Sequence, residues 1–110
     1  MYDEAMKSGH WKAADILAKL PSAASGEERY LEPFVSGTTS LGMYAPVGED
    51  LQSPHDRDEL YIIQSGTGTF VHDGNTSSFE PGDALFVAAG IEHRFENFSD
   101  DFSAWVVFWG

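Results

Sequence analysis

Between Tyr30 and Trp109 the apolar residues come in runs of four to seven, separated by Gly, Pro, Asn, Asp and Ser, which is the rhythm of strands and turns. Tyr30 to Val35 and Leu41 to Tyr44 read as strands around the turn Ser36-Gly37-Thr38, and Ala45 to Leu51 reads as a loop. Leu60 to Gln64, Thr69 to His72, Asn75 to Phe79 and Ala84 to Val87 follow, with Asp73-Gly74 a two-residue hairpin signal and Pro81-Gly82-Asp83 another turn. Ile91 to Asn97 and Ala104 to Trp109 close the series. Ahead of the strands, Met1 to Lys7 is polar. The stretch from Ser8, a candidate N-cap, to Leu20 puts Trp11, Ala14, Leu17 and Ala18 on one side before Pro21 stops it. That stretch predicts a short amphipathic helix lying outside the main body, joined to it by the polar linker Ser22 to Glu28.

Strands about eight to twelve residues apart, with short connections, predict an all-β sandwich or barrel built from antiparallel pairs. The helical extension covers residues 1–30 and the β domain residues 31–110. The run Ala104-Trp105-Val106-Val107-Phe108-Trp109 has no polar alternation, so both faces need cover. One face lines the core, and the other meets either the chain's own helix or a second subunit in a homodimer.

Composition narrows the class. A chain of 110 residues with 42% hydrophobic and 14% aromatic content forms one folded domain rather than a disordered segment. Eighteen acidic residues against six basic give a formal charge of −12, which disfavours nucleic acid and anionic membrane surfaces as partners. No apolar run approaches the roughly 20 residues of a membrane span, and the start lacks the pattern of a signal peptide. The chain contains no cysteine, so thiolate ligands, thiol nucleophiles and disulfides are absent. Together these features predict a soluble cytoplasmic protein whose partner is a small molecule.

The chemistry concentrates between Gln52 and Asn97. His55 lies four residues before Glu59, and His93 opens a segment whose alternation gives His93, Phe95 and Asn97 one face and Arg94 and Glu96 the other. The central expectation is that His55, Glu59 and His93 meet at one divalent metal. On a straight strand residues four apart are roughly 13 Å distant, so His55 and Glu59 could not share an ion. A helix is opposed by Pro54 and by the strand formers Tyr61, Ile62 and Ile63. A bend through Asp56, Arg57 and Asp58 must therefore fold His55 back over the start of the strand. Tyr61 and Phe95, each two residues beyond a ligand, should point inward as an apolar wall for substrate, or as ordinary core filling. His10 and His72 read as surface residues, Asn97 as a loop tie, and Asp56, Asp58, Asp100 and Asp101 as solvated charges.

These residues resemble the cupin superfamily. Its second motif, Gly, five residues, Pro, one residue, Gly, two residues, His, three residues, Asn, is matched by Gly82, Gly90, His93 and Asn97, with Ala88 in place of the Pro. In the first motif His55, Glu59 and Gly66 occupy the second His, the Glu and the final Gly, whereas Ser53 stands where the first His belongs. Gln52-x-Pro54-His55 followed by Asp58-Glu59-x-Tyr61 is similar to a subgroup of small single-domain bacterial cupins, as are the helix and the late Trp-Val-Val-Phe. The resemblance implies a double-stranded β-helix (jelly-roll) barrel over Leu31 to Trp109. It also implies a site of two histidines and one carboxylate, with the Gln52 amide oxygen as a fourth ligand.

Two imidazoles and a carboxylate on one face of an ion leave positions for a chelating substrate and O₂, the arrangement of non-haem iron(II) oxygenases. The expected function is therefore that of a metal-binding cupin acting as a metal-dependent dioxygenase on a small aromatic or enolic compound. Iron(II) is favoured among ions that also include nickel, manganese, cobalt and zinc. The alternatives are a non-catalytic small-molecule-binding cupin, in which Gln52 closes the site, and a metal-dependent isomerase or lyase, which needs an added base for which Tyr61 and Arg57 are the candidates. Catalytic residues are not assigned. No phosphate-cradling loop or serine elbow is present: Gly66-Thr67-Gly68 joins two strands instead of opening a helix.

Overall fold

The computed structural model describes residues 7–110, so the polar stretch expected at the start lies outside the described residues except for Lys7. Eight strands follow a short helix: β1 Tyr30–Ser36, β2 Thr39–Tyr44, β3 Asp58–Ser65, β4 Gly68–His72, β5 Asn75–Phe79, β6 Ala84–Val87, β7 His93–Glu96 and β8 Ser103–Trp109. They form two antiparallel sheets, one of five strands in the order β1-β2-β8-β3-β6 and one of three in the order β5-β4-β7. The two sheets are not hydrogen-bonded into a closed cylinder. They face each other as a jelly-roll sandwich of the kind the turn spacing predicted.

Alternation explains which side chains lie between the sheets. Along β3, Glu59, Tyr61 and Ile63 point inward, and along β8, Ala104, Val106 and Phe108 do. With Phe70 and Phe95 from the smaller sheet, and with Phe79 and Phe102, they build a core dense in aromatic rings. Its ring pairs are tilted or edge-on, including Phe95 with Phe102 at 4.7 Å and Tyr61 with Phe95 at 5.0 Å. The hairpin at Asp73-Gly74 has positive φ at both residues (48° and 79°), as its two-residue turn requires.

The helix differs from its prediction. It is the five residues of α1, Ala13–Leu17, and its N-cap is Lys12 in an extended conformation, not Ser8. The preceding segment is held otherwise: the Trp11 ring lies against Gly9, where a Cβ would collide with it, and packs tilted against Phe34 at 5.1 Å. Beyond it, Ile16 and Leu20 bury against Met43 and Ala45, with Leu31 and Trp105 beside them. A short 3₁₀ turn at Ala23–Ser25 interrupts the expected linker.

This second cluster covers Trp105 and so accounts for part of the outer face of β8. Trp109 packs against Phe86, which stays 56% exposed, so the face expected to be covered is only partly covered by the chain itself. β7 is shorter than the predicted Ile91–Asn97. The Ile91 N–H turns back to the Ala88 carbonyl, and Asn97 leaves the strand with φ at 51°.

Candidate metal centre

The bend before β3 is present. Residues 56 and 57 form it, β3 begins at Asp58, and the Asp58 carboxylate, still reached by solvent, accepts a hydrogen bond from the Ala89 N–H at 2.9 Å and so also ties a loop. The Gly90 N–H donates to the His55 carbonyl at 2.7 Å. Both bonds tie the His55 segment to the connection between β6 and β7, the segment that leads into His93. His55 Nε2 consequently lies 4.0 Å from Glu59 Oε1, although the two are four residues apart in sequence.

His93 Nε2 lies 2.6 Å from the same oxygen. One donor atom from each of His55, Glu59 and His93 falls within 4.8 Å of the other two. Donors on one face of an ion, at about 2 to 2.3 Å from it, lie roughly 3 Å apart, so the set closes on an ion when His55 moves inward by about 1 Å. His55, the most exposed of the three, has the room to do so.

Two features test whether these residues fit a cation. The Glu59 carboxylate is buried in a side chain only 1% exposed; Oε2 has no hydrogen-bond partner, and Oε1 meets His93 Nε2 at 2.6 Å. Leaving such a group in a protein interior is costly unless a cation neutralises it. The Nδ1 of His93 lies 2.9 Å from the Ile91 carbonyl, which can only accept, so Nδ1 carries a proton; without a metal a second proton lies between Nε2 and Glu59 at 2.6 Å, and its loss would free the Nε2 lone pair for an ion. Burial opposes a charge on His93, but the adjacent Glu59 carboxylate and the Ile91 carbonyl outweigh it and raise its pKa above the usual 6.5. The residues fit a divalent ion.

Gln52 lies beside the three donors. Its Nε2 donates to Asp50 Oδ2 at 2.6 Å, which orients the amide so that Oε1 faces inward, 3.2 Å from His55 Nε2 and 3.1 Å from the Tyr61 hydroxyl that donates to it. Tyr61 also lies 3.1 Å from His93 Nε2, and burial followed by the Glu59 charge pushes its phenol well above the ordinary value.

Asp50 is the residue that sequence reasoning missed, because nothing in the loop Ala45 to Leu51 marks it except its place two before Gln52. It is 6% exposed and accepts from the Tyr44 hydroxyl, the Gln52 amide and backbone N–H, and the Phe95 N–H at 2.9 Å. One carboxylate thus pins the loop to β7.

A space of about 230 Å³ opens beside the centre, walled by Tyr30, Tyr44, Tyr61, Val106 and Phe108, with His55, Glu59 and Gln52 at its base and Glu28, Glu32 and Arg57 along its rim. Tyr61 lines it as expected. Phe95 does not line it: its ring packs against Tyr61, Phe70, Phe79 and Phe102, the core filling that was the other expectation for it. His72 also departs from expectation. It is half-buried and stacked on Phe70 at 4.7 Å, but lies outside the converging donors. His10 is exposed, as is Asn97.

Comparison with known proteins gives the family and the fold. A protein-family model described as "Cupin domain" matches residues 41–109, a span that includes all three donors. An uncharacterized protein of Streptomyces coelicolor is 33% identical over 87 residues, 77% of this chain and 83% of that protein. Among solved structures, a conserved protein with a double-stranded β-helix domain from Klebsiella pneumoniae superposes with a TM-score of 0.74 at 18% identity, covering 94% of this chain and 90% of that one. A cupin 2 conserved barrel domain protein from Salinispora arenicola superposes at 0.67 with 22% identity, covering 96% and 90%. At these identities the structural likenesses speak for the fold.

Proposed function

Since the chain belongs to the cupin family, we propose that His55, Glu59 and His93 hold a divalent metal ion and that the aromatic cavity beside them receives a small chelating molecule for metal-dependent oxygenation. The observation that carries the metal reading is the convergence of His55, Glu59 and His93, with one donor atom from each within 4.8 Å of the others around a carboxylate only 1% exposed. An ion in a two-histidine, one-carboxylate set supplies Lewis acidity and leaves coordination positions for substrate oxygens and O₂, which is why iron(II) is the favoured ion.

The chain's own residues do the rest. The Ile91 carbonyl holds His93 in the tautomer that presents Nε2. The rings of Tyr30, Tyr44, Tyr61 and Phe108 form walls suited to a flat aromatic or enolic body and keep bulk water off it. Tyr61, protonated at neutral pH, donates a hydrogen bond at the base of the cavity.

A second reading is a binding module, and Gln52 favours it. With Oε1 turned inward, the amide could close a coordination position and reduce the site to ligand capture. Isomerase or lyase chemistry would use Tyr61 as the group that moves the proton. A homodimer would cover the exposed Phe86 beside Trp109.

The test is metal analysis of the untagged protein beside His55→Ala and His93→Ala, followed by O₂ consumption with iron(II) and candidate catechols. Both variants should lose bound metal by about tenfold or more, since even residues behind the ligands cost that much. Equal metal content in all three proteins would overturn the metal site, while an iron-loaded protein that binds catechols without consuming O₂ would favour the binding module.

A further inference from the structure

Among the described residues Arg57 is the only lysine or arginine lining the cavity, in a chain with eighteen Asp and Glu residues and six Lys and Arg residues. Among the described residues no carboxylate pairs with it: the ion pairs are those of His55 and His93 with Glu59, and of Arg94 with Glu92 and Glu96. Its guanidinium lies 4.6 Å from the centroid of the Phe108 ring, and one nitrogen donates to the Thr38 carbonyl at 3.1 Å. Stacking on an aromatic face holds the plane of the group while leaving N–H bonds at its edge unused, which is the state in which arginine grips a carboxylate with two parallel bonds.

Phe108 also fixes where that grip falls. His55 packs edge-on against the same ring at 5.2 Å, and Phe108 sits opposite Glu59 in the β3–β8 ladder. The guanidinium and the metal-side imidazole therefore both rest on Phe108 and line one cavity with Glu59. Glu32, a rim carboxylate, is occupied by the Tyr30 hydroxyl at 2.7 Å.

We propose that Arg57 is the specificity-determining residue of the cavity, binding the carboxylate of a small acid whose chelating oxygens face His55, Glu59 and His93 in the same cavity. The inference rests on the metal reading for the chelating end of the ligand and on Arg57 alone for the carboxylate end.

Calorimetry under nitrogen on the zinc-loaded protein tests it, with protocatechuate, its carboxamide and its aminomethyl analogue, three catechols alike at the chelating end. Protocatechuate should bind about tenfold or more tighter than the carboxamide, the scale of a hydrogen-bonded charge pair. Arg57→Gln should abolish that ratio while leaving zinc affinity unchanged, and Arg57→Lys should restore only part of it. Equal affinities, preference for the aminomethyl compound, or a ratio that survives in Arg57→Gln would overturn the proposal. If the parent protein takes up no zinc, the metal reading has failed, and the same ratio measured by NMR titration of the metal-free protein decides on Arg57 separately.

Discussion

Glu59 Oε1 and His93 Nε2 lie 2.6 Å apart, although Glu59 belongs to the five-stranded sheet and His93 to the three-stranded one. The contact is therefore a cross-sheet joint as well as half of the candidate metal centre, and its energetics depend on what else is bound there.

Replacing Glu59 by Gln separates these roles. The neutral amide fills the same volume without burying a charge, so the metal-free variant should unfold within about 1 kcal/mol of the parent. The parent should be stabilised by added metal, by about 2.7 kcal/mol at 100 times the dissociation constant. In Glu59→Gln that rise in Tm should largely disappear, which thermal melts with and without metal will measure.

The pH dependence of the metal-free protein follows from His93. Its folded pKa lies above its unfolded value, with the Glu59 carboxylate and the Ile91 carbonyl overcoming the opposing effect of burial. Its contribution to stability is therefore complete below about pH 6.5 and lost as pH rises through the folded value. Urea midpoints should fall over that range, and His93→Gln should flatten the trend. Metal affinity should run the other way, rising with pH because the ion needs the neutral ring, with protons released on loading.

Asp50→Ala should cost about 2 to 4 kcal/mol, since it strands the Phe95 N–H and the Tyr44 hydroxyl in a buried position. It also frees the Gln52 amide to turn, so metal affinity should fall roughly tenfold. Gln52→Ala should lower metal affinity without the stability loss, and denaturant unfolding beside metal titration distinguishes the two.

Gly42 on β2 lies under the Tyr30 ring, where a Cβ would collide with the phenol. Gly42→Ala should destabilise by about 1 to 3 kcal/mol, as overpacking does, and shift the Tyr30 wall of the cavity. Adding Tyr30→Ala should recover most of that loss, a coupling that a double-mutant cycle will show directly.

The amino-acid sequence by itself determined the strands and their inward faces, because period-two alternation along β3 and β8 is a local property. It also determined the Asp73-Gly74 turn, whose positive φ values those two residues tolerate, and the need for a bend between His55 and Glu59, since extended geometry forbids the alternative. The motif spacing singled out the three donors, and strand parity turned Tyr61 inward.

Only the tertiary structure decided what depends on long-range pairing. β8 enters between β2 and β3, which brings Phe108 across from Glu59 and beneath Arg57, and no local pattern encodes that neighbour. Asp50 was illegible because its partners, Tyr44, Gln52 and Phe95, converge only once the loop lies on β7. Phe95 and Tyr61 looked equivalent by alternation, yet one packs within the core and the other lines the cavity. The helix was overextended for a related reason: the contacts of Trp11 with Gly9 and Phe34 hold the preceding segment out of the helical conformation its apolar spacing favours.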